Sequence, residues 1–479
     1  MMFSGSQLPL NWKVARISEV AEVNPKLDKR SINDDLEVSF VSMPSVEAET
    51  GVIDVSNTRR FAEVKKGYTG FMEGDVLFAK ITPCMENGKM ALVPALKNNL
   101  GFGSTEFHVF RVGQNLEKKF LYYYVSSKQV RFDAEHNMTG AVGQKRVPTS
   151  YISDYQILVP PLEQQKLIVT KIEELFSELD SGIASLKTAQ EQLKIYRQAL
   201  LKHAFEGKLT EQWRKDNADQ LETPEQLLAR IQTERETRYQ QQLNDWKQAV
   251  KDWEVKGKEG KKPSKPTKFK PTQNAEEQDF QIPTKWALAE LSTLAYESVL
   301  GKMLDKQKNT GVDQDYLGNI NVRWGYFDLN NLKQMKIEET EESRYSLNQG
   351  DLVVCEGGEP GRCAIWKGEN GVIFIQKALH RIRFTESYLP TFAYYYLTYA
   401  VPLERVVKHL TGTGLGKVQF PICSLAEQQE IVSQLEEKLS IIEQNEKEIE
   451  SALAKAELLR QSILKKVFSG QPLSSKQSL

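Results

Sequence analysis

Residues 139–168 read TGAVGQKRVPTSYISDYQILVPPLEQQKLI, and residues 411–432 read TGTGLGKVQFPICSLAEQQEIV. Both pass from a Thr-Gly loop through a basic residue into a short apolar run, then reach Glu-Gln-Gln and an apolar pattern of helical period. An order of features that recurs in this way marks an internal repeat, and the repeat decides the fold. The match extends outward on both sides. LPLNWKVARISEVAEV from Leu8 falls on IPTKWALAELSTLAYE from Ile282, setting Pro9 on Pro283, Trp12 on Trp286, Ser18 on Ser292 and Ala21 on Ala295. EGDVLFAKI falls on QGDLVVCEG, with Gly74-Asp75 on Gly350-Asp351, and LYYYV from Leu121 falls on AYYYL from Ala393. YRQALLKHAFEGKL from Tyr196 falls on LRQSILKKVFSGQP from Leu459. The offset drifts from 274 to 263, so small deletions separate the copies. Each copy is a strand-rich globe followed by a long helix.

Heptads define the helices. Ile172, Leu179, Leu186, Leu193 and Leu200 recur every seven residues, with Ile168, Leu175, Ala189 and Tyr196 partly filling a companion seam. Leu435, Ile442, Ile449, Ala456 and Ile463 repeat the pattern beside Ile431, Ala452 and Leu459. Sustained heptads predict helices packed side by side as a coiled coil, with Asn445 at a seam position where a polar residue fixes register. Glu163 and Glu427 fall in first turns, favourable at the positive helix end. Gly207 and Gly470 fall just past the last turns, as helix stops. Helices of about 40 residues are roughly 60 Å long, too long for one small core.

The globes carry strand-like runs: VSFVSMP, DVLFAKI, EFHVFRV and YQILVP in the first, and DLVVCE, GVIFIQ and LHRIRF in the second. FLYYYVSSKQVRFDAE and TFAYYYLTYAVPLERVVKHL read as helical despite their tyrosines. Between the copies, TPEQLLARIQTERETRYQQQLNDWKQAVKDWE reads as a polar helix with Leu227, Leu228 and Ile231 as a short apolar face. VKGKEGKKPSKPTKFKP follows, with seven lysines, three prolines and two glycines. That composition builds no core and reads as a flexible linker, the alternative being a non-specific DNA tether.

At 479 residues the chain holds two or more domains, and 40% hydrophobic and 27% charged residues are ordinary globular values. No apolar run approaches the roughly eighteen residues of a membrane span, and MMFSGSQLPLNWK lacks a signal-peptide pattern. A cytoplasmic location is the expectation. Cys84, Cys355, Cys363 and Cys423 are scattered, without CxxC or CxxH spacing, and read as buried free thiols rather than zinc ligands or disulfides. A net charge of −1 leaves room for one basic face with acidic helices elsewhere.

No catalytic constellation emerges. The amide or acid beside Pro-Pro that a DNA amino-methyltransferase turn needs is absent from Asn24-Pro25-Lys26 and Val159-Pro160-Pro161-Leu162. GTGLGK at Gly412 lacks P-loop spacing and precedes a strand-like run. His108, His136, His203, His380 and His409 form no metal pattern, and there is no GxSxG elbow. What recurs is polar loop chemistry beside strands: Lys80, Thr82, Asn87 and Lys89, with Gln144, Lys145 and Arg146, in the first copy. The second offers Glu356, Glu359 and Arg362, with Gln376, Lys377, Thr413 and Lys417. Such side chains read base edges or hold phosphates, which makes these fourteen the candidate DNA-binding residues.

The paired PLEQQ and LAEQQ helix starts, with the FEGKLTEQWR and FSGQ exits, resemble the specificity subunit of a Type I restriction–modification enzyme over almost the whole chain. The resemblance implies an α+β fold: two strand-rich α/β target-recognition domains joined by two long antiparallel coiled-coil helices, with a pseudo-twofold axis. It places recognition domains at 1–160 and 276–422, spacer helices at 161–210 and 423–472, and an inserted polar helix and linker at 211–275. It implies a bipartite double-stranded DNA site with one domain per half-site, two methyltransferase (modification) subunits and restriction/translocase subunits as partners, and no catalysis by this chain. No cofactor is then bound by the chain, S-adenosylmethionine, ATP and Mg acting on the partners. A stand-alone DNA-binding regulator and a coiled-coil assembly protein are the competing readings.

Overall fold

The computed structural model describes residues 11–141, 143–260, 262–268, 282–305, 309–368, 371–404 and 412–468. Pro9, Gly470, His409 and the end of the lysine-rich run therefore lie outside the described residues, as does the Thr413 side chain. The chain divides into unit 1, Met1–Ala189 with Glu448–Leu479, and unit 2, Gln190–Lys447.

Unit 1 begins with β1 (Lys13–Arg16), α1 (Ile17–Val20), β2 (Ala21–Val23), β3 (Glu37–Val41), β4 (Thr58–Arg60), α2 (Phe61–Val64) and β5 (Thr69–Met72). It continues through β6 (Val76–Ala79), β7 (Met90–Leu92), β8 (Leu100–Gly103), β9 (Phe107–Val112), α3 (Lys118–Ser126), α4 (Lys128–His136), α5 (Thr149–Asp154), β10 (Gln156–Val159) and the start of α6 (Leu162–Phe205). One sheet has the order β2-β9-β6-β7 and another β4-β3-β8-β5, with β1 and β10 paired separately. The buried run Val76–Ala79 explains why β6 is central: both faces are covered, so the strand is apolar throughout.

Unit 2 repeats this plan after α7 (Glu211–Asp216) and α8 (Pro224–Val255). Its elements are β11 (Ala287–Glu290), α9 (Leu291–Leu294), β12 (Ala295–Leu300), β13 (Val312–Leu317), β14 (Val322–Arg323), β15 (Tyr326–Phe327), β16 (Lys333–Ile337) and α10 (Glu342–Tyr345). There follow β17 (Leu352–Cys355), β18 (Cys363–Ile365), β19 (Phe374–Ile375), β20 (Leu379–Phe384), α11 (Pro390–Ala400), β21 (Gln419–Ile422) and α12 (Leu425–Phe468). The sheet β12-β20-β17-β18 matches β2-β9-β6-β7, and the pair β11–β21 matches β1–β10.

The repeated letters now have physical roles. In each Gly-Asp the glycine has positive φ, 83° at Gly74 and 90° at Gly350. The following carboxylate is buried and held by two nitrogens of an arginine: Asp75 by Arg111 at 2.9 and 2.7 Å, and Asp351 by Arg383 at 2.8 and 3.1 Å. The tyrosine triplets divide three ways. Tyr124 and Tyr396 enter the cores. Tyr122 and Tyr394 press on Gly51 and Gly325, where an added Cβ would lie 1.9 and 2.7 Å from the phenol oxygen. Tyr123 packs edge-on to Phe176, and Tyr395 lies beside Leu439.

Each long helix is pinned at its start by a fully buried glutamine. Gln165 accepts from Glu117 N at 2.8 Å and donates to Pro160 O and Asn115 O. Gln428 accepts from Leu389 N at 2.9 Å and donates to Cys423 O and Ser387 O. One residue earlier, Trp12 Nε1 donates to Gln164 and Trp286 Nε1 to Glu427. The structural equivalence is thus Gln164 with Glu427 and Gln165 with Gln428, one residue out of step with the Glu-Gln-Gln letters. Glu427 is also more than a helix-end charge: it is buried and accepts from Arg214 at 2.7 Å and Thr210 at 2.8 Å. The helix exits dock as well. Phe468 packs on Phe120 and Tyr124 in unit 1, and Phe205 packs on Phe392, Tyr396 and Tyr399 in unit 2. Gly207 (φ +69°) stops α6 where a side chain would strike Pro283.

Within unit 1 the first part of α6 lies against the last part of α12, with Asp180 meeting Arg460 at 2.5 Å. Within unit 2 the remaining part of α6 lies against the first part of α12, with Arg197 meeting Glu446 at 2.9 Å. The pairing is antiparallel in both. The principal seam is covered, but Tyr196, Leu459 and Asn445 are exposed, so the expected companion seam and its polar register residue fail there. A straight helix of 3.6 residues per turn drifts about 20° per heptad, which carries the seam on to Arg197, Glu446 and Arg460. Cys355, Cys363 and Cys423 are buried free thiols, while Cys84 is partly exposed.

Candidate nucleic-acid interface

In unit 1 the candidate residues converge at the end of β6. Lys80 N donates to Glu106 O, Val147 N to Lys80 O, and Thr82 N to Lys145 O at 3.0 Å. The 139–147 loop is thereby zipped onto residues 80–82, with isolated bridges Ile81–Arg146 and Thr139–Arg146. Arg146 grips Glu106 through two nitrogens at 2.9 and 2.8 Å. That hydrogen bond holds the Glu106 carboxyl below the usual range. The loop tip presents Gln144 and Lys145 to solvent, next to Gly143 at φ +80°. Asn87 is exposed on the following turn, and Thr82 Oγ1 donates to Glu86. Lys89 is placed differently: its ammonium donates to Met43 O at 3.1 Å and Val46 O at 2.8 Å, tying down a neighbouring hairpin.

His108 lies beneath this loop. Its Nε2 is 2.8 Å from Val147 O and its Nδ1 is 3.2 Å from Asn24 Nδ2, which fits a neutral ring with the proton on Nε2. Burial lowers its pKa to about 4. His380 takes the same place in unit 2, is lowered by burial too, and has Glu356 Oε2 at 3.7 Å from its Nε2.

Unit 2 builds the same corner from different side chains. Glu356 N donates to Ala378 O, as Lys80 N does to Glu106 O, so Glu356 stands where unit 1 has Lys80 and Ala378 where it has Glu106. The turn Gln376-Lys377-Ala378-Leu379 closes with Leu379 N on Gln376 O, and Ala378 adopts φ 110°, a conformation a non-glycine residue rarely holds. Lys377 projects from this turn, exposed. Nearby, Glu359 accepts from Trp324 Nε1 at 2.9 Å and from Arg362 at 2.8 Å, and Arg362 reaches Asn319 O at 2.8 Å. Lys417 is exposed at the end of the short helix Gly412–Lys417, directly before β21. Sequence reasoning missed Glu106, Trp324 and Asn319. Trp324 carries a legible signal, an aromatic flanking a hairpin glycine. Glu106 and Asn319 carry none, because their partners are distant in sequence.

Among the described residues no cluster of His, Cys, Asp or Glu could hold a metal ion, and no helix is long and apolar enough to cross a membrane.

Residues 9–193 match the family described as Type I restriction modification DNA specificity domain. The chain is 28% identical over 473 residues to the Type I restriction enzyme EcoAI specificity subunit of Escherichia coli, covering 90% of this chain and 78% of that protein. It is 26% identical over 411 residues to the EcoEI specificity subunit of Escherichia coli, covering 75% of this chain and 64% of that protein. The fold is similar to the crystal structure of the HsdS subunit from Thermoanaerobacter tengcongensis, with a TM-score of 0.61 at 18% identity over 98% of this chain and 100% of that one. The first globe and the start of its helix carry the DNA specificity domain, relatives match along most of the chain and the two-globe, two-helix fold is shared, so the chain is similar over most of its length to the specificity subunits of Type I restriction–modification systems.

Proposed function

We propose that unit 1 reads one half of a bipartite DNA site and unit 2 the other, each through the corner where its candidate residues gather. The chain is the DNA-specificity subunit of its complex: it recognises a bipartite site and directs partner modification and restriction subunits. Specificity subunits are non-catalytic, and S-adenosylmethionine, ATP and Mg act on the partners.

The observation that carries the two-reader assignment is the pair of equivalent corners. One backbone hydrogen bond recurs, yet it joins Lys80 to Glu106 in unit 1 and Glu356 to Ala378 in unit 2. A scaffold kept in two copies while its side chains change sign is suited to reading two different half-sites, much as a dimer reads two equal ones. In this reading residues 1–160 and 276–422 are the recognition domains, and 161–210 and 423–472 are spacers that set the number of unread base pairs. Residues 211–275 are an insertion. Exposed apolar pairs at equivalent helix positions, Ile195-Tyr196 and Leu458-Leu459, supply one docking surface per unit for two modification subunits. The complex works in the cytoplasm.

Gln pairs bidentately with adenine and Lys with guanine, each good contact being worth roughly 1–3 kcal/mol of discrimination. Gln144→Ala with Lys145→Ala should relax one half-site only, and Gln376→Ala with Lys377→Ala only the other. Methylation mapping of the assembled variants tests this. If either pair altered both half-sites, the two-reader assignment would be abandoned.

A further inference from the structure

The insertion does more than join the copies. Its helix α8 starts at a Thr223–Gln226 capping box and buries Leu227 and Ile231 in the unit 2 core, while Arg238 stacks over Tyr296 at 3.6 Å. Beyond this anchor, Leu243, Trp246, Val250 and Trp253 form a half-covered stripe at helical spacing. The chain reverses after α8 at Gly257 (φ 77°) and Lys258 (φ 64°) and returns along that stripe. Trp253 Nε1 donates to Gly260 O at 3.2 Å, and Trp246 Nε1 donates to Pro263 O at 3.0 Å.

Along the returning segment, Pro263 and Pro266 are half-buried, whereas Lys262, Lys265 and Lys268 are exposed. That three-residue period is the one an extended polyproline segment gives, with successive turns about 9 Å apart. Lys262 and Lys265 lie over the Trp253 and Trp246 rings at 5.9 and 6.0 Å. Among the described residues none of these three lysines has a carboxylate partner. A plain linker needs neither two indole hydrogen bonds nor proline packing to hold it to a helix. The construction holds a row of cations without carboxylate partners along the helix.

We propose that the outer part of α8 and its returning segment form a basic arm that holds the sugar–phosphate backbone of duplex DNA without regard to sequence. The proposal rests on the assignment of the chain as a DNA reader. Regularly spaced, unpaired ammonium groups suit a polyanion with regularly spaced charges, and duplex DNA is the polyanion this subunit engages. The arm adds affinity on every sequence and leaves discrimination to the recognition corners.

The test compares the assembled modification complex of the parent with one carrying Lys262→Ser, Lys265→Ser and Lys268→Ser. Binding is followed by fluorescence anisotropy on an arbitrary-sequence duplex and on one bearing the methylation motif mapped from the host genome. Because the variant neutralises three fewer phosphates, the slope of log K against log salt should flatten by about 2.7 on both duplexes. Between about 50 and 200 mM salt the parent should then lose roughly 40-fold more affinity than the variant. The Lys→Arg triple variant should keep the parent slope. Equal slopes for parent and Ser variant overturn the arm, as does an unchanged slope combined with failed restriction-subunit assembly, which would mark a protein-docking surface. A parent complex that discriminates neither duplex would instead refute the DNA-reading assignment beneath it.

Discussion

Replacing Gln428 by alanine should unseat the second long helix from its globe. Gln428 is fully buried, and its amide joins three main-chain groups: Leu389 N at 2.9 Å, Cys423 O at 3.0 Å and Ser387 O at 3.4 Å. Truncation leaves one N–H and two carbonyls buried without that partner, and an unpaired buried group costs roughly 1–3 kcal/mol. The N–H is the harder group to re-satisfy. A loss of about 3 kcal/mol or more is expected, equivalent to a Tm drop of about 6–12 °C for a unit of this size. Gln165→Ala should cost a similar amount in unit 1, where the same three-way clamp joins Glu117 N, Asn115 O and Pro160 O. The exposed neighbours Gln164 and Gln429 are the controls, since Gln164→Ala removes only an exposed bond from Trp12 and Gln429 faces solvent. Urea unfolding gives the magnitudes, and hydrogen exchange resolved by peptide shows which unit opens. Were Gln429→Ala as damaging as Gln428→Ala, the clamp and its one-residue register shift would both be wrong.

Leu186→Asp or Ile449→Asp places a carboxylate in the half-covered or buried helix seam and should cost several kcal/mol while lowering assembly with modification subunits; unaltered unfolding and assembly would locate the seam elsewhere. His108 contributes a pH dependence with a definite sign. Its folded pKa of about 4 lies below 6.5, so the unfolded chain binds more protons and stability falls as pH drops from about 6.5 towards 4. Roughly 2 kcal/mol should go between pH 6.5 and about 5, and His108→Gln should flatten that part of the curve in urea titrations. The purified chain without partners should transfer no methyl groups from labelled S-adenosylmethionine, and robust transfer by a verified partner-free sample would contradict the subunit assignment.

Much of this architecture is legible in the residues because periodic burial leaves a periodic record. The heptads of Ile172 to Leu200 and Leu435 to Ile463, the apolar strand Val76–Ala79 and the Gly207 helix stop are local consequences of 3.6-residue and two-residue repeats and of φ preference. The duplication is legible because equivalent contacts, such as Asp75 with Arg111 and Asp351 with Arg383, require the same residues twice. The tertiary structure decided what depends on distant partners. It set Gln164 on Glu427, against the letter match, because a tryptophan from each globe's first segment chooses its acceptor by position on the helix. It turned Lys89 inward to two carbonyls and Arg146 onto Glu106, so that of neighbouring polar residues only some, Gln144 and Lys145 among them, face solvent. It also held a lysine- and proline-rich segment against two tryptophans, where composition alone gives a linker. Side-chain type sets what each group can bind, and only the folded backbone sets which partner comes within about 3 Å of it.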